Sequence, residues 1–270
     1  MKELNGLELA GFVKERQAKQ VRALRQAWHI QPRLAIVTDT DNPVIETYMR
    51  LKQNYGADIL IDVEIHRAES GRAFETIREL NSRDDVQGII VQLPVSDAGQ
   101  TGELLESVAL EKDVDGLRQD TPFQAATPTA IMWLLAGYGI DVAQKKVAIV
   151  GRGRLVGAPL ERSWKRSNID MTVFEKGDDL RQLNKYDLIV TATGVPGLIT
   201  NQMVRPGAVI VDAGTASENG KIVGDVDELV RQRQDITITP QKGGVGPLTV
   251  AALFDNVINA CLKIANAAKN

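Results

Sequence analysis

Tyr48 and Lys52 stand four residues apart in a helical pattern, so their side chains project from one face about a turn apart. A lysine with its ammonium partly buried beside a phenol can titrate below its usual range and act in acid–base chemistry. The alternative is an exposed lysine packed on a tyrosine ring. Gln92 ends the apolar run that starts at Gly88, at the edge where an α/β sheet displays functional groups. A neutral amide there can orient water or a carbonyl, or it can cap a loop. Asp115 stands in Asp113-Val-Asp-Gly116, where its carboxylate either serves a site or makes an Asx turn ahead of the glycine. Gly243-Gly-Val-Gly-Pro247 has three glycines in four residues, which reads as the first turn of the last helix or as backbone that a ligand passes closely. His29, His66 and the single Cys261 are too few soft ligands for zinc, and no metal centre is expected. Each histidine falls just outside a predicted element and reads as solvated. Acid–base work is left to lysine, aspartate, tyrosine and glutamine.

A second constellation surrounds Lys145 to Glu175. Val147 to Val150 is a short apolar run, as a parallel strand covered on both faces requires. A turn with Gly151, Arg152, Gly153, Val156 and Gly157 follows, and Pro159 lies near the start of a helical pattern. Glycines there let backbone approach a pyrophosphate, and a helix N-terminus adds oriented N–H groups. The next strand, Met171 to Phe174, ends on Glu175, where the dinucleotide pattern places the acceptor for the ribose 2′-OH. The third glycine comes one residue late for G-x-G-x-x-G, so a structural turn is the alternative. The strand before, the helix after and the acid beyond favour a dinucleotide.

The elements that must hold these groups alternate. Helical periodicity covers residues 7–27, 44–55 (stopped by Gly56) and 73–80, and short apolar strands cover 34–37, 59–65 and 88–92. A short helix at 102–110 precedes an irregular link, 117–128, and a helix at 129–137. Beyond Glu175, strands at 188–193, 208–213 and 236–239 continue, the first running into Thr193-Gly194, before a final helix from 248 to 268. Ligands bind beyond the carboxyl ends of such strands. This is an α/β chain of two domains: an N-terminal βαβ substrate domain and a Rossmann-like, doubly wound parallel-sheet domain. The wide apolar face of the final helix suggests that it is buried, back on the first domain. With 32 Lys and Arg against 35 Asp and Glu, there is no broad basic surface for nucleic acid. The N-terminus lacks the apolar core of a signal peptide and no stretch approaches membrane-spanning length. A lone cysteine fits a reducing cytoplasm, and a soluble cytoplasmic protein is expected.

These motifs, taken in order, resemble those of the bifunctional methylenetetrahydrofolate dehydrogenase/methenyltetrahydrofolate cyclohydrolase family. The resemblance runs nearly end to end, through Leu4-Asn-Gly6, Asn42-Pro43, Tyr48-x-x-x-Lys52, Gly88-x-x-Val-Gln92-Leu93-Pro94, Lys112-Asp-Val-Asp-Gly116, Gly151-Arg152 with Val156-Gly157-x-Pro159, Pro206-Gly-Ala208, Gly224-Asp-Val226 and Gly243 to Pro247. It implies a substrate domain of residues 1–118 with the helix 248–270, a cofactor domain of residues 119–247, a folate cleft at their junction, and a homodimer. It also implies that Lys52 is the central catalytic residue, with Gln92 as its partner. Tyr48 lies against the folate ring system and Asp115 binds the pterin edge. Leu93, Pro94 and the loop Gly243, Gly244, Val245, Gly246, Pro247 border the folate. Gly151, Arg152, Gly153, Val156, Gly157, Glu175, Lys176, Thr193 and Gly194 hold NAD or NADP.

The chain departs from the family in places. The usual Pro-Cys-Thr-Pro-x-Gly signature after the Asp-Val-Asp-Gly motif is reduced to Thr127-Pro128, and Gln241-Lys242 replaces Val-Pro. Gly153 replaces a serine, and Glu175-Lys176 stands where His-Ser is common. A carboxylate at Glu175 repels a 2′-phosphate and accepts bonds from a free ribose diol, which favours NAD, while Arg152 and Lys176 keep NADP open. Rival readings are a member with only one of the two activities, or a non-catalytic dinucleotide- or folate-binding protein.

Overall fold

The computed structural model describes residues 2–69, 71–218 and 221–267. The chain forms two compact units, Phe12–Ala125 with Val250–Asn270, and Met1–Gly11 with Ala126–Thr249. The sequence reading kept residues 1–118 together. By compactness, the first eleven residues instead group with the second sheet, because strand β1 (Lys2–Glu3) pairs in parallel with a strand near residue 237. Two polar residues carry no periodicity, so β1 was not expected.

Helix α1 (Gly6–Ala27) leads into the first sheet, β2 (Arg33–Thr38), α2 (Pro43–Asp58), β3 (Asp62–Arg67), α3 (Ala73–Asn81) and β4 (Gly88–Val91), followed by α4 (Thr101–Ser107). The strands lie in the order β3-β2-β4, all parallel, with Leu34 opposite Val63 and Gly88. Ala35, Val37, Ile89 and Val91 pack on Ile77 and Leu80 of α3. Leu34, Ile36 and Ile90, at the alternate positions, are equally buried, as a sheet covered on both faces requires. Asn42 caps α2, its Oδ1 accepting from Val44 N at 2.9 Å, and Pro43 fits the first helical position.

Gly56 does not stop α2. The helix runs to Asp58, and the turn comes at Leu60 (φ 65°), so β3 starts three residues later than expected. Gly56 is needed for closeness instead: a Cβ there would lie 2.8 Å from the Ile61 carbonyl oxygen and 2.5 Å from Val63 Cγ2. His66 lies inside β3, half-buried and 3.1 Å from Glu64, rather than in solvent beyond an element.

The second unit contains α5 (Ala126–Gly137), β5 (Val147–Val150), α6 (Gly157–Arg166), β6 (Met171–Phe174), β7 (Leu188–Thr191), β8 (Val209–Asp212), the hairpin β9 (Ala216–Glu218) and β10 (Lys221–Val223), α7 (Glu228–Arg231) and β11 (Thr237–Ile238). Its six-stranded sheet runs β1-β11-β8-β7-β5-β6, every pair parallel. α5 starts three residues earlier than expected, with Pro128 in its first turn, where a missing N–H costs nothing. The hairpin is a further difference, its strands of three residues each being too short to show a periodicity.

The final helix, α8 (Val245–Ala267), is long and apolar enough to cross a membrane, contrary to the sequence reading, but over half of that stretch is buried inside the protein. It is a core helix. From residue 250 it packs on α1: Gln17, fully buried, donates to Ala251 O (2.8 Å) and Asp255 Oδ1 (3.2 Å), and accepts from Tyr55 Oη (2.8 Å). Tyr55 stacks on Phe254, ring centroids 5.0 Å apart. Ile264 is exposed, so the apolar face is narrower at its end than the sequence suggests.

Gly56→Ala separates two opposing effects. Helix propensity favours alanine by about 1 kcal/mol, whereas overpacking costs about 1–3 kcal/mol, and here the obstacle includes backbone that cannot swing aside. Thermal unfolding should show a Tm lower by a few degrees; a variant as stable as the parent would mean that β3 moves away freely.

Candidate active site

Lys52 is on the packed side of α2. Ile45, Met49 and Gly56 are buried on this helix, and Lys52 falls in the same row, seven residues after Ile45. Its stem is half-buried and its Nζ donates to Gln92 Oε1 at 2.7 Å. Gln92 follows β4 directly; its N donates to Val37 O (2.8 Å), and its Nε2 to Leu93 O (3.0 Å), which fixes the amide with oxygen toward the lysine. The Leu93–Pro94 peptide bond is cis. The first sheet changes direction at β2, with β3 on one side and β4 on the other, so Gln92 lies beyond the carboxyl ends of two strands where the order switches.

Asp115 completes the electrostatics. Burial pushes the Lys52 amine below the ordinary lysine range, and the Asp115 carboxylate, close enough to act on it, pulls it part of the way back. Burial pushes Asp115 up, opposed by Lys52. The Asx-turn reading of Asp115 belongs to the aspartate two residues earlier: Asp113 caps this turn, its carboxylate accepting from Arg118 N (3.2 Å) and Leu117 N (3.5 Å), while Gly116 supplies the left-handed residue (φ 69°). Tyr48 lies half-buried one turn before Lys52. The lysine's bond goes to Gln92, so a lysine merely packed on a ring does not describe it.

Two residues that sequence reasoning did not single out hold this loop. Lys112 is buried, and its Nζ donates to the carbonyls of Leu80 (3.1 Å), Asn81 (2.8 Å) and Arg83 (2.6 Å), capping the end of α3. Asn256 of α8 donates to Val114 O (2.8 Å) and Gln124 O (2.9 Å). Only the place of Lys112 in its motif hinted at a role.

The second unit carries the glycine loop. β6 and β7 flank β5, which makes the carboxyl ends of β5 and β7 the switch point of this sheet. Gly151 leaves β5 at φ 93°, and a Cβ there would lie 2.8 Å from Ala192 O. Gly157 opens α6, and a Cβ there would lie 1.9 Å from Gly151 O. Packing therefore demands the first and third glycines. Gly153 has nothing within 4 Å of its would-be Cβ, so its surroundings are open. The extra residue before Gly157 lengthens the loop without removing the contact of helix and strand. Val156 precedes α6 and gives it no side-chain cap. This is a cradle that fits a pyrophosphate.

Glu175 and Lys176 are exposed at the end of β6. Arg152 reaches across from the glycine loop, its Nη1 3.5 Å from Glu175 Oε1 and its Nε 2.8 Å from Glu161 Oε2. Thr193 and Gly194 follow β7, held by a residue the sequence reading named only within a motif: buried Asp225 accepts from Thr191 Oγ1 (2.6 Å), Thr193 N (2.7 Å) and Val195 N (3.0 Å). The loop from Gly243 lies in this unit, where Gly243 (φ 82°) accepts from Leu7 N at 3.0 Å, and α8 begins at Val245.

Asp115→Asn tests the charge coupling. Removing the carboxylate that raises Lys52 should make its amine titrate at still lower pH, read by NMR of labelled lysine side chains. An unchanged titration would show that the two charges do not act on each other.

Residues 4–115 match the family described as tetrahydrofolate dehydrogenase/cyclohydrolase, catalytic domain, and residues 125–265 the corresponding NAD(P)-binding domain. The chain is 35% identical over 274 residues to the bifunctional protein FolD of Aquifex aeolicus, covering 95% of this chain and 94% of that protein. The bifunctional FolD enzyme of Campylobacter jejuni superposes with a TM-score of 0.91 at 31% identity, covering 98% and 99% of the two chains. The Trypanosoma brucei enzyme, solved with NADP and an inhibitor, gives 0.88 at 25% identity over 96% and 97%. With two domain matches in order and such identity over its length, the chain belongs to the bifunctional methylenetetrahydrofolate dehydrogenase/cyclohydrolase family and is an NAD(P)-binding enzyme of folate one-carbon metabolism.

Proposed function

We propose that Lys52 is the central catalytic residue for hydrolysis of 5,10-methenyltetrahydrofolate to 10-formyltetrahydrofolate, with Gln92 as its partner. The observation that carries this is the 2.7 Å bond from Lys52 Nζ to Gln92 Oε1 on the packed side of α2. Burial there lowers the amine, so a larger fraction is neutral near physiological pH and can accept a proton. As a water oxygen adds to the electrophilic methenyl carbon, its proton passes to Lys52. The adduct collapses as protonated Lys52 returns that proton to N5, the bond from the carbon to N5 breaks, and the remaining hydroxyl proton passes to solvent, leaving the formyl group on N10. Gln92 holds the amine in place. Asp115 binds the pterin edge, Tyr48 lies along the ring system, and Leu93, Pro94 and the loop Gly243 to Pro247 border the folate.

For the dehydrogenase reaction, bound NAD(P) supplies the hydride acceptor. The chain's contribution is alignment and exclusion of water, which need few reactive side chains. Gly151, Gly153, Val156 and Gly157 hold the pyrophosphate, Thr193 and Gly194 line the loop after β7, and Arg152, Glu175 and Lys176 lie toward the adenosine ribose. The Glu175 carboxylate accepts from a ribose diol and repels a phosphate, which supports NAD over NADP. A cytoplasmic location is part of this reading, supported by a single cysteine, buried in α8, that fits a reducing compartment. Homodimerisation belongs to the same reading; light scattering should give twice the 29.5 kDa of one chain, and a monomer at micromolar concentration would remove it.

Formation of methenyl product from methylenetetrahydrofolate should be faster with NAD than with NADP. Lys52→Met should lose hydrolysis of added methenyl substrate by roughly 10²–10⁴-fold with folate binding retained. In the parent, hydrolysis should rise with pH as Lys52 loses its proton. A variant that hydrolyses at the parent rate would remove Lys52 from the chemistry, and turnover far better with NADP would overturn the cofactor preference alone.

A further inference from the structure

We propose that Glu161 sets how the nucleotide loop responds to a 2′-phosphate, by holding the Arg152 guanidinium in an internal ion pair. The inference deepens the reading above, since it rests on Arg152 and Glu175 lying at the ribose end of the dinucleotide. Arg152 is the first residue after Gly151, at the switch point of the sheet, where a guanidinium would accommodate a 2′-phosphate. It is not free to do so. Its Nε donates to Glu161 Oε2 at 2.8 Å and its Nη2 approaches Oε1 at 3.5 Å, so one edge of the fork is occupied. The remaining Nη1 is 3.5 Å from Glu175.

The two carboxylates differ in freedom. Glu175 is 56% exposed and can swing into solvent to make room. The Glu161 side chain is only 8% exposed, and Lys165, one turn later on α6, donates to its Oε1 at 2.6 Å. That bond and the one from Arg152 hold the Glu161 carboxyl below the usual carboxylate range against the opposing effect of burial. Glu161 is therefore an anchored negative charge beneath Arg152, fixed by the fold whatever the ligand. A 2′-phosphate, with its nearly two negative charges, meets a guanidinium already neutralised and with one face taken. A free ribose needs neither. Glu161 is thus a specificity-determining residue that touches no ligand, acting through Arg152.

Glu161→Gln keeps the size and an acceptor oxygen while removing the charge. Isothermal titration with 5′-AMP and 2′,5′-ADP reads the effect without turnover. 2′,5′-ADP should bind about five- to tenfold more tightly than to the parent, and 5′-AMP within about twofold. The gain should shrink as salt is raised and should vanish in Arg152→Ala. Lys165→Met, at an exposed position, supplies a second variant if the first does not fold. It leaves both Glu161 oxygens to Arg152, and 2′,5′-ADP should weaken about twofold or more relative to 5′-AMP. If both fragments bind the parent but their ratio is unmoved by Glu161→Gln, or the gain survives Arg152→Ala, or Lys165→Met narrows the ratio, the role of Glu161 is overturned while the site stands. If neither fragment binds the parent, the placement of the ribose falls with it.

Discussion

A lysine held on the packed side of a helix is costly, and the first unit is arranged around meeting that cost. The ammonium loses water by lying in the row of Ile45, Met49 and Gly56, and it regains one strong bond from Gln92 and the field of Asp115. These two partners come from different places in the chain, and each is fixed by separate means. The backbone of Gln92 continues the β2–β4 ladder through Val37 O, and its side-chain amide is turned by Leu93 O. Asp115 is carried on a loop tied by Lys112, Asp113 and Asn256. Such a cation keeps a perturbed affinity for protons only while all of this persists.

The second unit meets a related constraint with carboxylates. Asp225 and Asp212 are adjacent and largely removed from water. Asp225 spends its oxygens on Thr191, Thr193 and Val195; Asp212 takes the backbone N–H groups of Gly214, Asp225 and Val226 and pairs with Arg231. One guanidinium and several backbone dipoles compensate two acids, and the loops after β7 and β8 are held as a unit. Gly214 and Gly224 pack directly against these carboxylates, where a Cβ would come within 2.0–2.1 Å of an oxygen.

Much of the fold was legible because its signals are local. Val147–Val150 and Gly88–Val91 are uninterrupted apolar runs, and a strand buried on both faces leaves little else to write. Elements defined by a distant partner were not. β1 exists only because β11 lies beside it, and Gly56 looks like a helix stop until the approach of Ile61 and Val63 is known. The glycine loops and the Tyr48-x-x-x-Lys52 spacing could be read as candidates from their own chemistry. That Lys52 meets Gln92, forty positions away, could be suggested only by family resemblance. Lys112, Glu161 and Asp225 carry no sign of burial in their own neighbourhoods; each is set by groups that become close only on folding, and so each was passed over.

The side chain of Asn256 bridges two carbonyls of the first unit, at Val114 and Gln124, from a position near the end of the chain. The order of synthesis gives this a temporal meaning. A nascent chain made as far as α7 already has every strand and helix that supplies Lys52, Gln92 and Asp115, yet the loop bearing Asp115 lacks the amide that fastens it. Gln17 waits in the same way, with an amide group that finds its acceptors only on α8. The tie on the Asp115 loop is therefore absent until α8 is made, whereas the bond between Lys52 and Gln92 draws on nothing beyond Leu93.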